Sequence, residues 1–317
     1  MKLTLRKILK GAAVVCAAAV MLCSSLFLTG CDRDGVAVVG STSLQPYVES
    51  LAEEFMRKYP ETHIDVQGGG SSAGINKTKE GVADVGMSSR GLKASETGLT
   101  PIKIASDGLA VIINPKNPLL ETTESELSLT ERQIRKIYNR EYLKWSDVAK
   151  DLGIPMYGKD SEIYLMAREA GSGTRTVFED LIMGSDRITS YAMVMTSNGG
   201  VRSYIADNPN AIGFISLGLV PVREKGKAKP VTALHINGVA ATEPNVAKGE
   251  EGATWEEGGY LLARPFLFVI REGEEIEGVA RDFLNYVLSE EGQTRLEAMG
   301  LIPIPKEDWY VPETTET

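Results

Sequence analysis

The sequence predicts an α/β protein of two lobes joined by two crossover strands, and three observations predict it. From Val36 onward, short apolar strands alternate with amphipathic helices, the pattern of strand, turn and helix units building a sheet. A nearly continuous apolar strand over 104–114 runs into Pro115 and Pro118 and reads as an exit from the first lobe. A second apolar strand, opened by Arg264-Pro265 and followed by a helix over 276–288, reads as the return.

The elements follow in order. Residues 36–39 form a strand ended by Gly40-Ser41-Thr42-Ser43. Leu44, Tyr47, Val48, Leu51, Phe55 and Met56 then recur at spacings of three and four, a helix that stops at Tyr59-Pro60. Residues 63–66 repeat the unit, leading into the loop Gly68-Gly-Gly-Ser-Ser-Ala-Gly and a short helix, and 83–87 lead into Ser88-Ser89-Arg90. This alternation implies a parallel sheet. Past Pro118 come helices over 131–138 and beyond Trp145, a strand over 163–168, the turn Gly171-Ser172-Gly173-Thr174, a helix over 175–182 and a strand over 211–217. The segment 225–259 is rich in Gly, Glu and Lys and reads as surface loops and short strands. The apolar positions of 276–288 suit packing on the first lobe. Lobe one is thus 36–114 with 263–317, lobe two is 115–262, and a polar tail starts at Pro312.

Ahead of the fold, Lys2, Arg6, Lys7 and Lys10 precede an apolar run from Gly11 to Leu28, which is how a secretory leader reads. Its end, Leu28-Thr29-Gly30-Cys31, resembles the lipobox of bacterial lipoproteins, whose cysteine is acylated before cleavage. That resemblance implies a leader over 1–30, a lipid anchor on Cys31, a short tether over 31–35, and a chain held at the cell membrane on its extracytoplasmic side. A transmembrane helix competes, because about 18 apolar residues just span a bilayer. Small residues within the run, its Thr-Gly-Cys end and the acidic residues that follow at once favour the leader.

With the leader gone, Cys16 and Cys23 are lost and Cys31 is taken by lipid, so the mature chain has neither free thiol nor disulfide. A hydrophobic content of 43% in so long a chain buries enough surface to need no staple. The leader carries four cations, so its removal takes the net charge from −9 to about −13. Nucleic acid is excluded as a partner, since no basic stripe offsets this charge. A small anion must therefore be caught by local dipoles rather than by the field of the whole molecule.

Three strand-to-helix turns have the composition for such capture. They are Gly40-Ser41-Thr42-Ser43, Ser88-Ser89-Arg90 and Gly171-Ser172-Gly173-Thr174. Helix starts leave backbone N–H groups unpartnered, glycine allows close approach, and hydroxyls add donors that rotate to meet a tetrahedral oxygen. Such turns sit at the carboxyl ends of parallel strands, where open α/β sheets place ligands. Singly, each is also an ordinary helix cap. Arg90 and Arg168, at strand ends beside two of them, add planar forks that grip two oxygens.

Val39-Gly-Ser-Thr-Ser, Gly68-Gly-Gly-Ser-Ser-Ala-Gly, Asp84-Val-Gly-Met-Ser-Ser-Arg, Asp107-Gly-Leu-Ala-Val-Ile-Ile-Asn-Pro, Arg168-Glu-Ala-Gly-Ser-Gly-Thr-Arg and Asn208-Pro-Asn-Ala-Ile-Gly-Phe-Ile-Ser together resemble the phosphate-binding subunit of bacterial phosphate ABC importers. The resemblance runs from Val36 to Ile304. It implies a two-lobed periplasmic-binding-protein fold closing on one dehydrated phosphate, with no cofactor, acting as a monomer that delivers to an ABC permease. The ligand set it implies is Ser41, Thr42, Ser43, Ser89, Arg90, Arg168, Ser172, Gly173 and Thr174.

Two departures matter. Better-known members carry an aspartate where Ser89 stands, and another two residues after the arginine, where this chain has Ala170. A buried carboxylate accepts the proton of monohydrogen phosphate and repels sulfate, which has none. Asp107, at the start of the apolar strand 108–113, is the candidate for that work, and Asp84 is the alternative. The loop 68–74 is either a further anion nest or a flexible lobe edge. Asn198-Gly199-Gly200 begins a helix facing the same cleft and is expected to support a ligand loop without touching ligand.

Other functions fit less well. A Gly-x-Ser-x-Gly nucleophile elbow around Ser172 would need glycines at 170 and 174, where Ala170 and Thr174 stand. His63 and His235, the only histidines, read as structural or exposed. No Cys pair, His-x-x-x-His or phosphate-loop motif for a nucleotide occurs. A binding protein for sulfate or molybdate, or a surface adhesin or sensor on the same fold, are the alternatives that remain.

Overall fold

A computed structural model of the chain describes residues 35–122, 125–221 and 229–309. The predicted leader, Cys31, most of the tether and the polar tail lie outside them. In the first stretch come β1 (Gly35–Gly40), α1 (Gln45–Lys58), β2 (His63–Gly68), α2 (Ser71–Lys79) and β3 (Val85–Ser88). Pro46 opens α1 where no N–H is needed, and Arg57 and Lys58 suit its negative end. Tyr47, Val48, Leu51, Ala52 and Phe55 form its buried face.

The long β4 (Leu99–Ile113) leads to β5 (Ser128–Leu129), α3 (Glu131–Tyr138), α4 (Trp145–Leu152), β6 (Tyr164–Arg168) and α5 (Gly173–Phe178). Thr130 and Gln133 form a reciprocal cap at the start of α3. Next are β7 (Met193–Met195), α6 (Asn198–Asp207), β8 (Ala211–Ser216), β9 (Thr232–Ala233), β10 (His235–Ile236) and α7 (Glu243–Glu250). The chain closes with β11 (Ala263–Arg271), α8 (Gly278–Leu288), α9 (Glu290–Ala298) and β12 (Ile302–Pro303). Helix α7 lies within a segment expected to hold only loops and short strands. Val246 is its one buried residue, so no apolar stripe announced it, although Thr242 caps it and Pro244 opens it.

Ten strands form one sheet in the order β2-β1-β3-β11-β4-β8-β6-β7, with β9 and β12 also pairing with β4, while β5 and β10 pair in parallel as a separate two-stranded sheet. The large sheet is mixed rather than parallel as expected. Strands β1 and β3, β6 and β8, and β6 and β7 pair in parallel, but β11 is antiparallel to both β3 and β4, and β4 is antiparallel to β8. The reason is topological: the chain leaves along β4 and returns along the adjacent β11, so the two crossovers must oppose each other.

Two large hydrophobic cores share this sheet, with a small third cluster of Ile75, Leu99, Leu267 and Val269 beside them. One gathers β1, α1 and α8 with Ile104, Ala105, Phe266 and Phe268, and there Phe55 meets Phe283 and Tyr286 with ring centroids 5.5 Å apart. The other gathers Leu109 to Ile113 with Tyr138, Trp145, Phe178 and Phe214, the last two stacked at 4.0 Å. Strand β4 therefore passes between cores at 106–108. Ser106 and Asp107 mark the spot, because a polar pair in an apolar strand cannot belong to either core.

Helix α2 lies so close to β1 that a Cβ on Gly74 would sit 2.5 Å from the Val39 carbonyl oxygen and 2.8 Å from the Gly40 Cα. In an exposed helix, Gly→Ala stabilises by up to ~1 kcal/mol. Here Gly74→Ala is expected to destabilise by about 1–3 kcal/mol through overpacking, read from the urea midpoint. A gain in stability would show that α2 can withdraw from the sheet.

Candidate functional site

The turns singled out in the sequence converge. Ser41 Oγ donates to Ser89 Oγ at 2.9 Å, joining the end of β1 to the end of β3. The Ser89 N–H donates to Ser71 Oγ at 3.0 Å, which draws in the start of α2. Ser43 Oγ and Thr174 Oγ1 are 2.9 Å apart although 131 positions separate them in sequence. The Ser72 N–H donates to the Gly171 carbonyl at 3.1 Å, and Thr42 Oγ1 accepts from Arg168 Nη2 at 3.0 Å. Ser172 caps α5 by accepting from the Arg175 N–H. Gly173 is required by the close fit, since a Cβ there would overlap the hydroxyls of Ser71 and Ser89.

Three buried arginines surround this cluster, each beside a carboxylate. Arg168, only 1% exposed, holds Glu169 through Nε at 2.9 Å and Nη2 at 2.8 Å. Its Nη1 is buried and has no partner among the described residues. Glu169, one position before Ala170, is thus the carboxylate that Arg168 holds. Arg90 gives Nη1 and Nη2 to the two oxygens of Glu96 at 2.8 and 2.7 Å, and Nη2 also donates to Ser72 Oγ at 3.1 Å. Through Ser72, Arg90 braces the start of α2, and its Nε is buried with no partner among the described residues. The Glu96 carboxyl is held below the ordinary glutamate range chiefly by its bond from Arg90, which outweighs the opposing effect of burial, with the Lys93 N–H adding to the lowering.

Asp107 is held from several sides. Its Oδ2 accepts from Arg264 Nε at 3.0 Å, Arg264 Nη2 at 2.8 Å and Ser216 Oγ at 2.8 Å, while Oδ1 takes the Gly218 N–H at 3.4 Å. A carboxylate 2% exposed must be compensated, and Arg264 on β11 supplies the counter-charge. Burial pushes the Asp107 carboxyl up and the Arg264 guanidinium down, each opposed by the other's charge. Arginine starts so basic that the pair stays ionic. Asp84, the alternative, accepts from the Ala37 N–H at 2.8 Å on the exposed side of the sheet.

Asn198 joins two of these turns: Nδ2 donates to Ser43 Oγ at 3.0 Å, and Oδ1 accepts from the Ser216 N–H at 3.3 Å. Sequence reading missed Ser71 and Arg264. The signals existed, a serine inside the glycine-rich loop and an arginine opening an apolar strand.

The chain matches the model of the PBP superfamily domain over residues 28–291. It is 30% identical over 274 residues to the phosphate-binding protein PstS of Bacillus subtilis, covering 85% of this chain and 80% of that one. PstS of Staphylococcus aureus is 26% identical over 279 residues, covering 85% and 78%. Among solved structures, a Clostridium perfringens chain described as a phosphate ABC transporter substrate-binding protein, with bound phosphate, superposes with a TM-score of 0.72 at 35% identity, over 86% of this chain and all of that one. A phosphate transport receptor of Vibrio cholerae gives 0.63 at 33% identity, over 84% and 99%. With turns, crossovers and relatives in agreement, the chain belongs to the PBP superfamily, and within it to the PstS family of two-lobed phosphate-binding proteins.

Proposed function

We propose that this chain captures inorganic phosphate outside the cytoplasmic membrane and hands it to an ABC permease, as a monomer held by lipid on Cys31 and without covalent chemistry on its ligand. The observation that carries the reading is the buried guanidinium of Arg168, with one nitrogen lacking a partner among the described residues, set against the hydroxyls of Thr42, Ser43 and Thr174. A tetrahedral oxyanion satisfies a fixed fork ringed by rotatable donors. The names and bound phosphate of the relatives supply its identity.

The proposed contacts are Ser41, Thr42, Ser43, Ser89, Arg168, Ser172, Gly173 and Thr174, with Ser71 added and with Arg90 and Asp107 as supports. The two cores act as lobes that hinge on β4 and β11. Opening admits the hydrated anion, closure replaces its water with directed hydrogen bonds, and the closed shape is what the permease receives. The rival, a binding protein for sulfate or molybdate, has Ser89 in its favour, a hydroxyl where an acid would repel such ions. Calorimetry on the mature chain stripped of anion should give phosphate binding in the micromolar range or tighter, about −8 kcal/mol or better, with sulfate far weaker. The reverse order would establish the rival. Arg168→Ala should lose about 2–5 kcal/mol of phosphate binding, and near-wild-type affinity would remove Arg168 from the site.

Arg90 should behave differently. Glu96→Gln is expected to lower stability by about 2 kcal/mol at neutral pH and to change phosphate affinity little. The folded-state glutamate titrates below its ordinary value of 4.5, so its contribution is full above that value and is lost as pH falls through the depressed one. Wild-type and variant denaturation midpoints should therefore converge in acid.

The anchor has its own test. Cys31→Ser should abolish acyl labelling and move the protein from the membrane fraction to the medium or periplasm. Retention on the membrane would point to an uncleaved helical anchor.

A further inference from the structure

Six residues close a ring of hydrogen bonds through the middle of the molecule. Asp107 Oδ2 accepts from Arg264, whose Nη1 donates to Thr174 Oγ1 at 2.8 Å. Thr174 Oγ1 meets Ser43 Oγ at 2.9 Å, and Ser43 Oγ accepts from Asn198 Nδ2 at 3.0 Å. Asn198 Oδ1 accepts from the Ser216 N–H, and Ser216 Oγ returns to Asp107 Oδ2 at 2.8 Å. All six are buried.

The ring has a direction. An arginine N–H can only donate, and so can an amide NH₂. Thr174 Oγ1 and Ser43 Oγ are therefore both fixed as acceptors on their outer sides, by Arg264 and Asn198. The two hydroxyls own two protons, and only one can lie in the bond between them. The second can point to neither Arg264 nor Asn198, and so is turned toward a further acceptor. With Ser43 and Thr174 in the proposed phosphate contacts, that acceptor is an anion oxygen without a proton.

We infer that Arg264 is a positioning residue for anion capture: through Thr174 it sets the polarity of the Ser43–Thr174 hydroxyl pair, so that this face of the site presents a donor. The inference rests on the phosphate reading above. Asp107 is the counter-charge that allows Arg264 to be buried, and strand β11 carries Arg264 to the point where both cores meet. A merely structural arginine would support β11 and leave the hydroxyls free to choose their own direction.

The two roles separate in a mutant cycle. Replacing a buried ion pair by apolar residues of similar volume is often neutral for stability, so Asp107→Leu with Arg264→Met is the first variant, with Arg264→Lys as the second. Lysine keeps the charge beside Asp107 but lacks the fork that reaches Thr174 as well. Each is combined with Thr174→Val, and phosphate Kd is measured by calorimetry beside the thermal midpoint. Thr174→Val alone should weaken phosphate binding at least ~10-fold. Arg264→Lys and the apolar pair should each weaken it ~10-fold with the midpoint little changed, and Thr174→Val added to either should cost less than ~3-fold more, because coupled groups are non-additive. If the apolar pair does not fold, the Arg264→Lys cycle decides alone. A full-sized Thr174→Val effect in the Arg264 variants, or wild-type affinity in them, overturns the positioning role while leaving the phosphate reading intact. Absence of phosphate binding by the wild-type protein overturns that reading, and this inference with it.

Discussion

A buried cation must be compensated where it stands, and three such obligations organise this molecule. Arg90, Arg168 and Arg264 are each 3% exposed or less, and each is beside a carboxylate: Glu96, Glu169 and Asp107. Desolvating a guanidinium without a partner costs several kcal/mol, more than most single contacts in a fold return. The pairs therefore fix where the chain can go. Arg90 and Glu96 lock the end of β3 to the segment after it and reach Ser72 on α2. Arg168 and Glu169 are sequence neighbours and orient the fork before the rest of the turn is placed. Arg264 and Asp107 tie the two crossover strands side by side.

The third pair explains why one sheet carries two cores. Strand β4 is buried continuously from Ile104, yet its polar break at Ser106 and Asp107 divides the packing into two clusters. A charge there would be ruinous in the middle of a single core. At the seam it is matched from β11, and Ser216 at the end of β8 adds its hydroxyl. The seam is also where the proposed hinge runs, so the least apolar stretch of the two crossover strands is the one that must bend.

Much of this was legible in the sequence, and the failures have a common cause. Alternating strands and helices, the two crossovers and the convergent turns followed from periodicity and turn chemistry, which are local. Helix α1 could be read from six apolar positions, whereas α7 could not, because Val246 alone is buried in it. Strand direction depends on which strands become neighbours, and nothing local says that β11 inserts between β3 and β4. Arginine and aspartate partners were invisible for the same reason. Asp107 reads as a free carboxylate until the chain returns 157 positions later with Arg264, and Arg90 reads as a free fork until Glu96 folds back on it.

Capture and handover make opposite demands on such a site, and the placement of the charges reconciles them. Each arginine keeps its carboxylate within its own side of the seam or, for Arg264, on the crossovers themselves. Around the proposed site, the contacts that span the two sides are different in kind: Ser43 with Thr174 and Asn198, Thr42 with Arg168, and the Ser72 N–H with the Gly171 carbonyl. Separation of the lobes, as proposed, would exchange these few hydrogen bonds for water at a net cost near ~1 kcal/mol apiece. Breaking an ion pair at each opening would cost several times that, and would hold the lobes shut. With the buried charges satisfied on either side, single hydrogen bonds across the site and one solvent-exposed pair, Lys103 with Glu250 at 3.4 Å, beside it, the proposed balance between open and closed would be narrow enough for one small anion to decide it.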